Sequence, residues 1–138
     1  MSTEANKAIV MRHFKEVYEQ GQLDLIDSYY APDGSTPDMD QTPEILREGV
    51  KWLRKIAPDL KITVLDMIAE GDKVMAYIRV DLTWTSKYAS EYAVPCPPLD
   101  QPVTWSGLEL YRIVEGKMVS RIGFYDPNDI LWPEPKAA

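Results

Sequence analysis

Val103–Asp126, VTWSGLELYRIVEGKMVSRIGFYD, reads as a β-hairpin with a carboxylate on an apolar face. Alternate residues of a strand share a face. One face of the first arm therefore holds Val103, Trp105, Gly107, Glu109, Tyr111 and Ile113, and Glu109 is its only charge. A carboxylate on such a wall is costly unless it is paired, hydrogen-bonded or protonated. A chain keeps one there for a structural pair or for chemistry.

The turn decides what Glu109 faces. A two-residue primed turn needs positive φ at Glu115, which a glutamate disfavours. A three-residue loop, Val114-Glu115-Gly116, needs it only at Gly116, as in a type I turn followed by a glycine bulge. That register pairs Ile113 with Lys117, sets Glu109 opposite Arg121 and Gly107 opposite Gly123. The two glycines remove side chains from one wall, which leaves room for a ligand or admits a helix closely.

Outward from the hairpin, the chain of 138 residues suits one compact domain, 1–138, with a single core. Hydrophobic residues make up 45%, an ordinary globular share. The net charge of −7 and the scattered basic residues argue against nucleic acid or an anionic membrane as partner. No stretch is long and apolar enough to span a bilayer, and MSTEANKAIV lacks the order of a signal peptide. One cysteine, Cys96, excludes an internal disulfide and suits a reducing, cytoplasmic setting. One histidine and one cysteine argue against a zinc site. No metal and no cofactor is expected.

The spacing of Val10, Phe14 and Val17, and of Met11, Phe14 and Tyr18, predicts a helix from Thr3 to Gln20, with Thr3 as cap and Gly21 as stop. A short helix follows from Leu23 to Tyr30, then a polar loop carrying Asp38 and Asp40. A third helix opens with Thr42 as cap and Pro43 at its first position, burying Ile45, Leu46, Val50, Leu53 and Ile56. Strands then take over. Val74, Ala76, Ile78, Val80, Leu82 and Trp84 share one face of Lys73–Ser86; Met75, Tyr77, Arg79, Asp81, Thr83 and Thr85 share the other. Helices followed by antiparallel strands make an α+β layout. A curved, mostly antiparallel sheet wrapped around three N-terminal helices would enclose an apolar pocket, with Phe14, Val17, Leu46, Val50 and Leu53 pointing inward.

Several stretches carry a resemblance. They are Glu19-Gln20-Gly21-Gln22-Leu23-Asp24, Tyr30-Ala31-Pro32-Asp33, the Pro97-Pro98 loop into Pro102-Val103, and Tyr111-Arg112-Ile113-Val114-Glu115-Gly116-Lys117. Together they resemble the cone-shaped fold of nuclear transport factor two and ketosteroid isomerase, and within it the SnoaL-like polyketide cyclases. The resemblance implies a homodimer through the outer sheet face and a small, largely apolar, carbonyl-containing substrate of natural-product type. Its acid–base pair, a histidine and an aspartate, falls at Glu109 and Gly123. Ketosteroid isomerases have an oxyanion-stabilising acid at Glu109, a proton-shuttling aspartate near Asp38 and an oxyanion tyrosine at Phe14. Limonene epoxide hydrolase is similar at Arg79-Val80-Asp81.

Glu109 thus reads as a general acid or base, or as a structural partner of Arg121. Charge that develops on a substrate oxygen would be met by Arg121, Tyr125 or Tyr111. Arg79 and Asp81 share a face with Tyr77 and Met75, which favours a cavity wall over a solvated ion pair. The expected catalytic residues are Glu109, Asp81 and Arg121. The expected substrate contacts are Arg79, Tyr77, Tyr125, Asp38, Phe14 and Trp105. His13 reads as a surface or satisfied helix residue, and Cys96 as inert. The expected activity is cofactor-free cyclisation or isomerisation. The alternatives are epoxide opening by Arg79 and Asp81, and a non-catalytic binding or assembly role.

Overall fold

The structure, a computed structural model, describes residues 2–32, 42–94, 96–126 and 132–137. The first helix, α1, spans Thr3–His13. Its cap is Ser2 and not Thr3: Ser2 is extended, and its hydroxyl accepts from the Ala5 N–H at 3.1 Å. The helix then widens into a π-helical turn, Phe14–Glu19. Such turns are rare and gather at functional sites. Gly21, at φ +69°, ends it, and Arg54 donates to the carbonyls of Tyr18, at 2.9 Å, and Glu19. Carbonyls left bare at a helix end need such a donor.

A 3₁₀ turn, Leu23–Leu25, leads to α2, Ile26–Tyr29, and later α3 runs Pro43–Ile56. Thr42 caps α3 by accepting from the Ile45 N–H at 3.2 Å. Leu46, Val50, Leu53 and Ile56 are buried, but Ile45 is 57% exposed. Ile45 precedes the stripe by one residue, about 100° around the helix, and so leaves the core face.

Four strands, β1 Lys61–Glu70, β2 Lys73–Thr83, β3 Pro102–Val114 and β4 Lys117–Tyr125, form a curved antiparallel sheet in that order. Val74, Ala76, Ile78, Val80 and Leu82 of β2 are buried with Ile9, Val10, Phe14 and Val17 of the first helical segment in one core. Tyr30 joins β4 through a parallel bridge to Met118, where the Ala31 N–H meets the Met118 carbonyl at 2.9 Å. The fold is therefore the α+β cone that the helix-then-strand order implies.

The hairpin corrects the expected register. Val114 pairs with Lys117, so the turn has two residues, with Glu115 at φ +51° and Gly116 at φ +78°. Ile113 then pairs with Met118, but Arg112 pairs with Ser120, and Val119 stands between as a bulge. The Ile113 N–H is drawn to the Asp72 carbonyl at 2.7 Å, on the side away from β4. Turn and bulge each move the register by one residue. Glu109 consequently lies opposite Gly123, Tyr111 opposite Arg121, and Gly107 opposite Tyr125. Beyond the bulge the shift is two residues, which keeps Arg121 on Glu109's face, now as its diagonal neighbour instead of its opposite.

Candidate active site

The concave face of the sheet and the helices enclose a pocket of about 340 Å³. This is at the small end of the range for ligand sites. Leu46, Val50 and Leu53 of α3 and Ile78 and Val80 of β2 supply its aliphatic walls. Phe14, Trp52, Trp105 and Trp132 supply its aromatic ones. Trp105 stacks on Trp84 with centroids 6.1 Å apart, and Trp132 packs against both rings at 5.5 and 5.2 Å. The Trp52 indole N–H donates to the Pro133 carbonyl at 3.1 Å, which ties the C-terminal segment to α3. Polar groups gather at one end: Tyr18, Glu109, Arg121 and Tyr125.

Glu109 is 3% exposed and Arg121's side chain 14%. Arg121 Nη2 donates to Oε1 at 2.8 Å, and Nε lies 2.7 Å from Oε2. The Tyr111 hydroxyl donates to Oε2 at 3.0 Å, and the Tyr125 hydroxyl donates to Oε1. Three hydrogen bonds and the close Nε ion-pair contact, which lacks hydrogen-bond geometry, therefore surround one carboxylate. Burial, then the Glu109 charge, pushes the phenols of Tyr111 and Tyr125 well above their ordinary value. For Arg121, burial works against the charge, but Tyr18, Glu109 and the neighbouring phenols more than offset it and keep the guanidinium protonated.

The two glycines make room for a protein ring. A methyl group on Gly107 would overlap one edge of the Tyr125 ring, and one on Gly123 would stand 2.8 Å from its other edge. Tyr125 lies across both and so brings its hydroxyl to Glu109.

The structure brings together Glu109, Arg121, Tyr125, Phe14 and Trp105 of the expected residues. It does not bring Tyr77, Arg79 or Asp81 to them. β2 buries Val74 through Leu82 at even positions, and the odd positions form the outer face. Tyr77 is 43% exposed there, and Asp81 binds Arg79 Nε at 3.1 Å and the Thr104 hydroxyl at 2.6 Å. The expectation of a cavity wall is corrected: strand parity decides the face, and tyrosine or methionine beside a charge does not. Asp38 lies outside the described residues. The pocket also takes in Tyr18, noted in the sequence only for its helical spacing, and Trp52 and Trp132, which the sequence did not single out as site residues. The one available signal for Trp132 was a tryptophan in an otherwise short, proline-flanked segment.

Of the two readings of His13, the structure excludes the surface one. It is fully buried, behind the site, with Nδ1 2.8 Å from the Val10 carbonyl and its ring 4.4 Å from Phe14 and 5.3 Å from Tyr111. Burial lowers its pKa to about 3; the Val10 contact opposes this and Arg121 adds to it.

The chain belongs to the SnoaL-like polyketide cyclase family, whose profile matches residues 8–131. Among solved structures it is similar to TsrD from Streptomyces laurentii, at 18% identity and TM-score 0.76, over 94% of this chain and 93% of that one. It is similar to a SnoaL-like polyketide cyclase from Agrobacterium tumefaciens at 14% identity and TM-score 0.72, over 94% and 95%. It is also similar to a limonene-epoxide-hydrolase-like epoxide hydrolase from Mycobacterium tuberculosis at 11% identity and TM-score 0.65, over 92% and 82%. At such identities the likeness speaks for the fold alone. A comparison with curated protein sequences found no match.

Proposed function

We propose that this member of the SnoaL-like polyketide cyclase family is a cofactor-independent acid–base enzyme acting on a small, apolar, carbonyl-containing natural-product intermediate. The observation that carries the reading is a buried carboxylate, ringed by donors, at the polar end of a tryptophan-walled pocket. In the proposed reaction Glu109 takes a proton from the carbon beside a carbonyl. The C–H electron pair moves into the new C=C bond as the carbonyl π pair moves onto oxygen. Arg121, at the same end, stabilises that charge. The enolate carbon then attacks a second carbonyl, and Glu109 returns the proton to the resulting alkoxide. In isomerisation the enolate attacks no second carbonyl, and Glu109 returns the proton to another carbon of the conjugated enolate as the oxygen's electron pair re-forms the carbonyl. The Trp105 indole N–H is buried in the pocket wall with no hydrogen-bond partner among the described residues. It suits a ligand with an acceptor oxygen there.

Convergent polar groups favour this reading over a non-catalytic binder. The outer-face position of Arg79 and Asp81 removes the support for epoxide opening. The outer face also carries cross-strand apolar rows, Ile68–Met75–Leu110–Ile122 and Tyr77–Leu108–Phe124. A second copy of the chain fits such a face, and Phe124→Asp should convert a dimer to a monomer in sedimentation.

The catalytic reading is tested with 2-tetralone, whose α-protons exchange in D₂O and are followed by NMR. The protein should accelerate exchange, and Glu109→Gln should lower that acceleration by about a hundredfold, the contribution of one general base. Because the pair is buried, the rate is taken per folded molecule. An unchanged rate in the variant, or no acceleration of any aryl ketone tried, would sink the proposal.

A further inference from the structure

Glu109 accepts three hydrogen bonds, from Arg121, Tyr111 and Tyr125. Of its donors, Tyr111 is fully buried and Arg121 carries the counter-charge. Tyr125 differs from both. It is the last residue of β4, it is partly exposed, it lines the pocket, and its ring rests on two glycines with no interlocking side chain at either. Its hydroxyl donates to Oε1.

We infer that the Tyr125 hydroxyl holds the place of a ligand hydroxyl. The substrate is of a class that carries an O–H donor, a phenol, enol or alcohol, on its apolar frame, and this O–H displaces Tyr125 from Glu109 Oε1. The inference rests on the pocket being the substrate site, but it concerns binding and needs no turnover. An apolar molecule without a donor cannot replace the lost hydrogen bond, and a buried carboxylate left short of a donor is penalised. Such a ligand therefore leaves Tyr125 in place and gains nothing from Glu109. Exchange of one donor for another leaves the carboxylate satisfied and now hydrogen-bonded to the ligand. The displaced phenol moves toward solvent at the strand end.

The test compares 2-naphthol with 2-methoxynaphthalene, which keeps the rings and lacks the donor, by calorimetric titration. Tyr125→Phe removes the competing hydroxyl and keeps the ring. It should bind 2-naphthol about tenfold more tightly than the native protein, in line with one hydrogen bond to a charged group, and leave 2-methoxynaphthalene unchanged. Gly107→Ala, which pushes the ring off its bed, should shift 2-naphthol the same way. Glu109→Gln, which keeps a neutral acceptor oxygen in place of the charge, should weaken the preference for the hydroxyl compound. Weaker or equal binding of 2-naphthol by Tyr125→Phe, or no binding of it by either protein, overturns the inference. These outcomes are independent of 2-tetralone exchange: exchange without displacement rejects this inference alone, and displacement without exchange rejects the catalytic reading alone.

Discussion

Substitution of Glu109 by glutamine should cost stability as well as any chemistry. The native pair is desolvated, with Glu109 3% and Arg121 14% exposed. Removal of one partner from such a pair typically costs about 3–5 kcal/mol, because the other charge is left buried. Glutamine keeps one acceptor oxygen but turns an amide N–H₂ toward groups that are themselves donors, so we take about 3 kcal/mol, the low end. Arg121→Gln should cost a similar amount. The double variant buries no charge and can pair amide with amide, so its loss should also be near 3 kcal/mol rather than the sum of about 6. The assay is urea unfolding followed by tryptophan fluorescence at fixed protein concentration. With a slope of about 2 kcal/mol/M, each single variant should lower the midpoint by roughly 1.5 M. Single losses under about 1 kcal/mol, or losses that add to within about 0.5 kcal/mol, would refute the view of a desolvated, coupled pair.

Three further outcomes follow from local geometry. His13 has its pKa lowered from 6.5 to about 3 in the folded state, so it binds more protons unfolded; stability is fully present above pH 6.5 and is lost as pH falls toward 3. The loss from this one group should be about 2 kcal/mol at pH 5, and His13→Phe should flatten that limb of the pH–stability curve; equal slopes would refute it. Glu115→Asn should raise stability by about 1 kcal/mol, because asparagine tolerates the left-handed backbone better, and a fall in melting temperature would contradict this. Thr42→Ala should cost about 1 kcal/mol through the lost cap on α3, read as a lower urea midpoint.

Much of the architecture follows from local pattern. The alternation in Lys73–Thr83 names the buried face of β2, and the Thr42-Pro43 start of α3 names its cap. The parity of Val103–Ile113 puts Glu109 on the core side whatever the turn does, because a strand has only two faces. That is why the Glu109–Arg121 contact survives a register error of two residues.

The rest needed tertiary structure. Alternation puts Arg79 and Asp81 on the face opposite Val74–Leu82, but only the packed structure shows that, among the described residues, this second face bounds no helix-covered cavity. The bulge at Val119 arises where β3 also bonds the β1–β2 turn, a contact between residues 41 apart in sequence (Asp72 and Ile113). Trp132 reaches the pocket only because the C-terminal segment returns to α3 and to the Trp84–Trp105 stack. The two glycines, read in sequence as space for a ligand or a helix, are space for Tyr125, a residue at the end of the facing strand. Sequence periodicity reports the face a residue takes within its own element. What meets that face is decided by the packing of elements far apart along the chain, and the polar end of the pocket is built from such meetings.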